Sequence, residues 1–202
     1  MRFSTLELQH LFRAWLIISL AFAILLSGGF SITTQFLLAL VMAAITVGLG
    51  FLLHEMAHKF LAQRYGCLAE FRAFDTMLLL ALLMSFFGFI LAAPGAVFIR
   101  GNVNLARNGR ISAVGPLVNI VLAFVFFALL QVSPFFSSYP LLITMAYYGL
   151  SINGWLALFN MLPFWQLDGT KVLKWNKKIY ALMIAGAVFV MMLPGLVSFG
   201  AQ

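Results

Sequence analysis

Long apolar stretches dominate the chain, and short segments between them carry its charge. Four of these stretches contain no Asp, Glu, Lys or Arg, namely 14–54, 76–99, 111–167 and 179–202. A helix needs about 20 apolar residues to cross a hydrocarbon core of roughly 30 Å. The first and third stretches are each long enough for two such helices, with a polar or proline-containing break between them. The pattern therefore predicts membrane-spanning helices at 14–30, 36–62, 111–131, 141–162 and 179–199.

The stretch 76–99 predicts at most one further element. An apolar segment at 77–93 either crosses the membrane, or enters it and returns. Two β-prone runs, 66–74 and 97–105, indicate a small sheet, and the Gly101-Asn102 pair in the second run suggests a hairpin turn. Long uninterrupted runs are unlike the short alternating segments of a transmembrane β-barrel. We expect an all-α polytopic membrane protein with five or six transmembrane helices and a small re-entrant or β-hairpin element.

The composition agrees with a lipid environment. Hydrophobic residues make up 64% of the 202 positions and charged residues 8%, so a soluble domain of this size could not bury its apolar surface. The net charge is +7, but basic residues beside apolar helices are typical of membrane proteins, so nucleic-acid binding is not expected. The single cysteine, Cys67, excludes an internal disulfide and a cysteine-based metal cluster. No repeat or linker divides the sequence, so we expect residues 1–202 to form one integral-membrane domain.

A metal-binding motif, His54-Glu55-Met56-Ala57-His58, lies inside the predicted helix 36–62. On a helix, residues i and i+4 are about 40° apart, so both imidazoles can reach one ion from the same face. The glutamate between them is close enough to act as a general base, as it does in the H-E-x-x-H motif of zinc peptidases. Three ionisable side chains clustered in a membrane helix are costly and indicate a functional site. We predict a metal site at His54 and His58, with Glu55 as its base.

A catalytic zinc ion takes three protein ligands, so the two histidines leave the site one ligand short. Three carboxylates fall in predicted charged connectors, where solvated or salt-bridged roles are expected: Glu7, Glu70 and Asp75. Asp168 instead follows a long uncharged stretch. Pro163 should end the helix before it, and Gly169 would permit a tight turn after it. Asp168 either supplies the third ligand or caps the helix that follows.

Two further motifs follow H-E-x-x-H along the chain. Gly115-Pro116-Leu117-Val118-Asn119 opens a later apolar segment, where Gly115 and Asn119 are expected to serve close helix packing. The pattern N-x-x-P-x-x-x-L-D-G then runs from Asn160 to Gly169. In this order the three motifs resemble those of the site-2 proteases, which are intramembrane zinc metalloproteases. The resemblance covers residues 36–178 and implies that this range is the catalytic core.

The resemblance also implies roles for individual residues. One zinc ion per chain would be held by His54, His58 and Asp168, with Glu55 as general base. Asn160 would position the substrate backbone, for which a hydrogen bond at the helix end is the alternative.

The expected activity is hydrolysis of peptide bonds in or near transmembrane segments of membrane protein substrates. Counted from residue 36 at 1.5 Å per residue, His54 lies about 27 Å along its helix, inside the bilayer near one face. The substrate must unwind locally, because a helical carbonyl is already hydrogen-bonded, and an exposed strand edge could hold it by main-chain pairing.

Three alternatives remain: a catalytically silent zinc-binding membrane scaffold, a metal transporter and a prenyl-protein protease. An intact Glu55 argues against the first of these. A single polar cluster at one face, rather than a path across the bilayer, argues against the second. The third would use a later glutamate as ligand, where this chain offers Asp168.

The twelve basic residues predict the topology. If the segment 77–93 crosses the membrane, five of them lie on one face and seven on the other. If it enters and returns, five crossings place all twelve on one side, which the preference of Lys and Arg for the cytoplasmic face favours. We therefore predict a multi-pass protein of the cell membrane whose basic connectors and active-site opening face the cytoplasm.

Overall fold

The computed structural model describes residues 2–90, 94–132 and 138–196. Its helices and strands, in chain order, are α1 (Thr5–Ser27), α2 (Thr34–Ala43), α3 (Leu49–Arg64), β1 (Leu68–Ala73), α4 (Asp75–Ser85), β2 (Gly95–Arg100), α5 (Leu105–Gln131), α6 (Pro140–Asn160), α7 (Asp168–Trp175) and α8 (Lys177–Leu196). A turn of π-helix, Ala44–Gly48, joins α2 to α3, so Thr34–Arg64 is one helix of 31 residues. The chain divides into two compact units, Met1–Asn102 and Val103–Gln202.

Five helices in the described part of the chain are long and apolar enough to cross a membrane: Thr5–Ser27, Thr34–Arg64, Leu105–Gln131, Pro140–Asn160 and Lys177–Leu196. Together with a two-stranded sheet, they confirm the predicted all-α polytopic class. By the length and composition of its helices, the chain is a multi-pass membrane protein.

The apolar segment 77–93 forms a helix only in its first part. α4 has 11 residues, or about 16 Å at 1.5 Å per residue, which is too short to cross a bilayer. No helix follows it as far as residue 90. Residues 91–93 lie outside the described chain, as do 133–137 of the predicted break and 197–199 of the last predicted helix.

The first helix begins at Thr5, earlier than the predicted residue 14. Ser4 caps it, because its hydroxyl accepts a hydrogen bond from the backbone N–H of Glu7 at 3.1 Å. The letters S-T-L-E at 4–7 match the capping-box pattern that marks a helix start. Glu7 is therefore part of α1 and is buried, so its predicted place in a charged connector was wrong.

The small sheet lies in the first unit, where β1 packs against α1 and α3. β1 and β2 are antiparallel, and their pairing runs from Leu68 with Arg100 to Ala73 with Gly95. The predicted sheet is thus confirmed, but the predicted hairpin at Gly101-Asn102 was wrong, because β2 ends at Arg100 and pairs with a strand that precedes α4. The chain after Gly101 leads instead into α5.

The π turn in the metal-binding helix is stabilised from α1. The carbonyl oxygen of Ala44 accepts the backbone N–H of Leu49, five residues on, and also the indole N–H of Trp15 at 3.1 Å. A π turn leaves a helix locally distorted, and the indole gives this carbonyl a second hydrogen bond. Gly48 permits the contact, since a Cβ atom there would lie 2.5 Å from Trp15 Nε1.

In the second unit, α5 packs against α6, α7 and α8. Its main core consists of small and branched side chains: Ile120, Ala123, Leu130, Ala146, Leu150, Ala157, Ala187, Val190 and Leu193. Two buried amides link α5 to α6, since Asn119 Nδ2 donates to Asn153 Oδ1 at 3.0 Å and Asn153 Nδ2 donates to the Gly149 carbonyl at 2.9 Å. Polar side chains that bond between membrane helices stabilise their association, which agrees with the packing role expected for Asn119.

Candidate metal centre

The two histidines of the H-E-x-x-H motif lie side by side on α3, one helical turn apart. His54 Nε2 and His58 Nε2 are 3.0 Å apart, and the two rings meet edge to face with their centroids 4.7 Å apart. Both side chains are buried. The i, i+4 spacing thus brings two imidazole nitrogens to one point, as the sequence predicted.

Glu55, the proposed base, is also buried on α3. Consecutive helical residues point about 100° apart, so its carboxylate is turned away from the line that joins the two imidazoles. Glu55 directly follows His54 in the chain, so α3 carries a possible proton acceptor next to the predicted ligand pair.

Asp168 is the first residue of α7, in the second unit, and is buried. Its Oδ1 accepts a hydrogen bond from Lys171 Nζ at 3.4 Å. Leu167 occupies the cap position of this helix, so the capping alternative for Asp168 was wrong. The preceding helix ends at Asn160, close to the predicted end before Pro163.

Gly169 serves a different purpose from the one predicted. It lies inside α7 and has no positive φ, so it makes no tight turn. A Cβ atom at this position would lie 2.1 Å from the carbonyl oxygen of Met161. Glycine is required here because the backbone next to Asp168 passes very close to the end of α6.

Asn160 is half-buried at the end of α6 and makes the helix-end hydrogen bond. Its Nδ2 donates to the Leu156 carbonyl, one turn earlier, at 2.9 Å. The substrate-positioning role remains a prediction.

Asp75 and Glu70, which the sequence did not favour as zinc ligands, form surface ion pairs, as predicted. Asp75 contacts Arg13 at 2.8 Å, and Glu70 contacts Arg72 at 2.8 Å. The Ser4 hydroxyl also donates to Glu70, and this bond is the main cause that lowers the pKa of the Glu70 carboxyl below its ordinary value.

Sequence reasoning missed a buried ion pair beside the histidines. Lys59, the residue after His58, is 0% exposed, and its Nζ donates to Oε2 of Glu7, which is 1% exposed. The capping-box pattern S-T-L-E at 4–7 could have predicted that Glu7 lies on a helix. Nothing in the sequence near Glu7 indicates that Lys59 is its partner.

His54 and His58 belong to the first unit and Asp168 to the second, and each of these described residues offers one side-chain atom that could bind a metal ion. Two imidazole nitrogens and a carboxylate oxygen are ligands that zinc prefers in catalytic sites. The ligand chemistry predicted from the sequence is therefore present.

Known proteins with similar sequences decide the family. Over 156 residues, the chain is 42% identical to a protein of Methanocaldococcus jannaschii that bears the name "Putative zinc metalloprotease MJ0611", covering 76% of this chain and 80% of that protein. The chain belongs to this zinc metalloprotease family. It is also 31% identical over 126 residues to zinc metalloprotease MJ0392 of the same organism, covering 60% of this chain and 30% of that protein. No family model matches the chain, and no solved structure matches it significantly.

Membership of a zinc metalloprotease family agrees with the residues at the site. Zinc is the metal that suits a set of two histidines and one aspartate. The H-E-x-x-H motif adds the glutamate that such peptidases use as a base.

Proposed function

We propose that the chain is an intramembrane zinc metalloprotease of the site-2 type, which hydrolyses peptide bonds in or near transmembrane segments of membrane proteins. The observation that carries the proposal is the position of His54, Glu55 and His58 on Thr34–Arg64, a helix long and apolar enough to cross a membrane. His54 follows the start of that helix by about 30 Å at 1.5 Å per residue, so the site would lie within the bilayer near one face. The later Asn160 to Gly169 motif supports the same family.

The donor atoms on α3 fit a zinc ion. Two imidazole nitrogens that bind one tetrahedral zinc ion at about 2.0–2.1 Å lie roughly 3.3 Å apart, and the nitrogens of His54 and His58 are 3.0 Å apart. Asp168 would complete the three protein ligands and leave one position open. A zinc ion held there would supply Lewis acidity to the water and the scissile carbonyl.

Glu55 would move the proton. Its carboxylate takes a proton from the water that attacks the scissile carbonyl carbon, and then passes that proton to the amine nitrogen that leaves. Burial of Glu55 keeps this exchange away from bulk solvent. Asn160 would bind the substrate backbone with its amide, and Asn160→Ala should raise KM without a loss of zinc.

The outer edge of β2 would hold the unwound substrate. The backbone N–H groups of Phe71 and Ala73 donate to side chains of α1 rather than to β2, so these positions of β1 face away from its partner. By the register, the backbones of Val97 and Ile99 then face outward on the other side of the sheet. No described residue hydrogen-bonds to them there, so an extended segment of a membrane protein could add a third strand at this edge.

The proposed orientation puts every basic connector on the cytoplasmic side of the cell membrane. With five crossings, the twelve Lys and Arg residues fall on one face, as the distribution of positive charge in membrane proteins favours. To test it, single cysteines are placed by Arg72→Cys, Arg107→Cys and Lys174→Cys in a Cys67→Ser background. An impermeant thiol reagent should label all three from the cytoplasmic side, and labelling of position 107 from the opposite side would contradict five crossings.

Zinc content and cleavage together test the protease. Purified wild type should hold about one zinc per chain, and Glu55→Gln should keep the zinc but lose cleavage. His54→Ala, His58→Ala and Asp168→Ala should each lower the zinc content. Substrates are identified by quantitative mass spectrometry, as membrane proteins that accumulate in cells expressing Glu55→Gln and are cut in cells expressing wild type.

Three results would contradict separate parts of the proposal. Cleavage by Glu55→Gln would exclude its role as base. Full zinc content in Asp168→Ala would remove Asp168 from the ligand set. Cuts confined to soluble proteins would exclude intramembrane proteolysis while leaving a metallopeptidase.

A further inference from the structure

A buried carboxylate outside the metal-ligand set joins three elements of the first unit. Glu7 belongs to α1, and its Oε2 accepts the ammonium of Lys59 on α3. Its Oε1 accepts the backbone N–H of Phe71 on β1 at 2.9 Å. The ring of Phe3 covers the same ammonium, with Nζ 4.2 Å from the ring centroid. One side chain therefore contacts both the metal-binding helix and the sheet.

Stability alone is a weak reason for such a pair. Removing two charges from water costs free energy that their attraction scarcely offsets, and apolar replacements of buried ion pairs are often neutral or stabilising. What Glu7 supplies is a fixed geometry, because each of its oxygens binds a different element. Lys59 directly follows His58, and Phe71 lies in the strand that pairs with β2.

The outer edge of β1 is closed by side chains around Glu7. Ala73 N–H donates to His10 Nδ1 at 3.0 Å, and the Ala69 carbonyl accepts from Gln63 Nε2 at 3.4 Å. With the Phe71 N–H bound to Glu7, three of the outward backbone groups of β1 are already paired, and α1 packs against this strand, so this edge is a poor acceptor for another strand. Among the described residues, the edge of β2 is the one left open to an extended segment.

We propose that Glu7 is a positioning residue for proteolysis. Through Lys59 and Phe71 it fixes β1, and with β1 the open edge of β2, relative to the helix that carries His54 and His58. The inference rests on the proposed function, because it takes β2 as the strand that receives the substrate. Glu7 acts through the sheet, so its loss affects substrate binding and leaves zinc in place.

Two double variants separate the positioning contact from the ion pair. Glu7→Gln/Lys59→Met and Glu7→Leu/Lys59→Met both remove the two charges. They differ in the side-chain oxygen that accepts the Phe71 N–H, which glutamine keeps and leucine lacks. Both are prepared with zinc in detergent micelles, and amide hydrogen exchange by mass spectrometry follows peptides that cover 68–73 and 95–100.

We expect the glutamine variant to exchange at nearly the wild-type rate in both peptides. The leucine variant should exchange about fivefold faster or more, as expected for the loss of one hydrogen bond. Zinc content should be full in both. With a substrate found as above, the leucine variant should show a KM about tenfold higher and a kcat within about threefold of wild type.

Equal exchange rates and equal KM values in the two variants would overturn the proposal, as would different exchange rates with the same KM. If exchange differs but wild type cleaves no membrane protein, the proposed function is wrong, whereas the hold of Glu7 on the sheet is supported. If the leucine variant does not fold, Ser4→Ala tests the same link, because Ser4 is exposed, caps Glu7 and donates to Glu70 on β1. Faster exchange of 68–73 with full zinc and a higher KM would then support the proposal, and unchanged values would overturn it.

Discussion

In the part of the chain that the structure describes, a buried polar pair links two helices in each unit, and the two pairs differ in charge. In the first unit, Lys59 on α3 pairs with Glu7 on α1. In the second, Asn119 on α5 donates to Asn153 on α6 at 3.0 Å. All four side chains are at most 1% exposed, so burial does not distinguish the pairs.

The difference lies in what remains when one partner is removed. A neutral amide that loses its partner costs roughly 1–3 kcal/mol, whereas an unpaired buried charge costs about 3–5 kcal/mol. The neutral pair lies near an apolar core that includes Ile120. The charged pair lies one residue from a proposed metal ligand. The ion pair, which costs more to break, therefore lies next to the proposed metal site. Charged residues in membrane helices are usually found at functional sites.

The largest expected effect is that of Lys59→Met. It leaves the Glu7 carboxylate buried without its cation, so the free energy of unfolding should fall by about 3–5 kcal/mol. Unfolding is measured by titration with sodium dodecyl sulfate in mixed micelles. The control Glu7→Gln/Lys59→Met removes both charges and should remain within about 1 kcal/mol of wild type. A double variant as unstable as the single one would show that packing, and not charge, sets the cost.

The next largest effect is expected for Gly169→Ala, in the second unit. The added methyl group would lie 2.1 Å from the Met161 carbonyl oxygen, and backbone must shift to admit it, at about 1–3 kcal/mol. Because Asp168 is the adjacent residue, we also expect a lower zinc content by atomic emission. The control is Gly186→Ala, where the nearest atom is Ile120 Cδ1 at 3.6 Å. Full zinc in Gly169→Ala would mean that this close approach does not place Asp168.

The smallest expected effect is that of Asn153→Leu, which removes the acceptor for Asn119 and the donor to Gly149. The free energy of unfolding should fall by about 1–2 kcal/mol in the same titration, with zinc unchanged. The control Ser151→Ala removes only a bond within α6, from Ser151 Oγ to the Tyr147 carbonyl. A loss as large as that of Lys59→Met would erase the distinction between the charged and the neutral pair.

The features that the sequence predicted depend on short periodic patterns. The spacing of His54 and His58 was enough to bring their nitrogens together, because a helix fixes the geometry of i and i+4. The length of the apolar runs predicted the five candidate spans, because a helix has a fixed rise per residue and needs about 20 residues to cross the hydrocarbon core. Asp168 became a candidate ligand because it follows a long uncharged stretch, and its role as a ligand remains a prediction.

The features that the sequence did not predict depend on contacts between distant segments. Glu7 and Lys59 are 52 positions apart, and nothing near either residue indicates the other. β2 was assigned to a local hairpin because Gly101-Asn102 is a common turn pair, whereas its partner β1 precedes α4. Gly169 was assigned to a turn because glycine is common there, although it is required by the nearby Met161 carbonyl.

The π turn at Ala44–Gly48 determines the rotational phase of the metal-binding half of its helix. One additional residue in a helical turn advances every later side chain by about 100° around the axis. The hydrogen bond from the Trp15 indole to Ala44 and the close packing of Trp15 against Gly48 stabilise the turn that contains the additional residue. Deletion of one residue within this turn would therefore rotate both imidazoles of α3 by about 100° around the helix axis. The distance between the two imidazoles would stay the same.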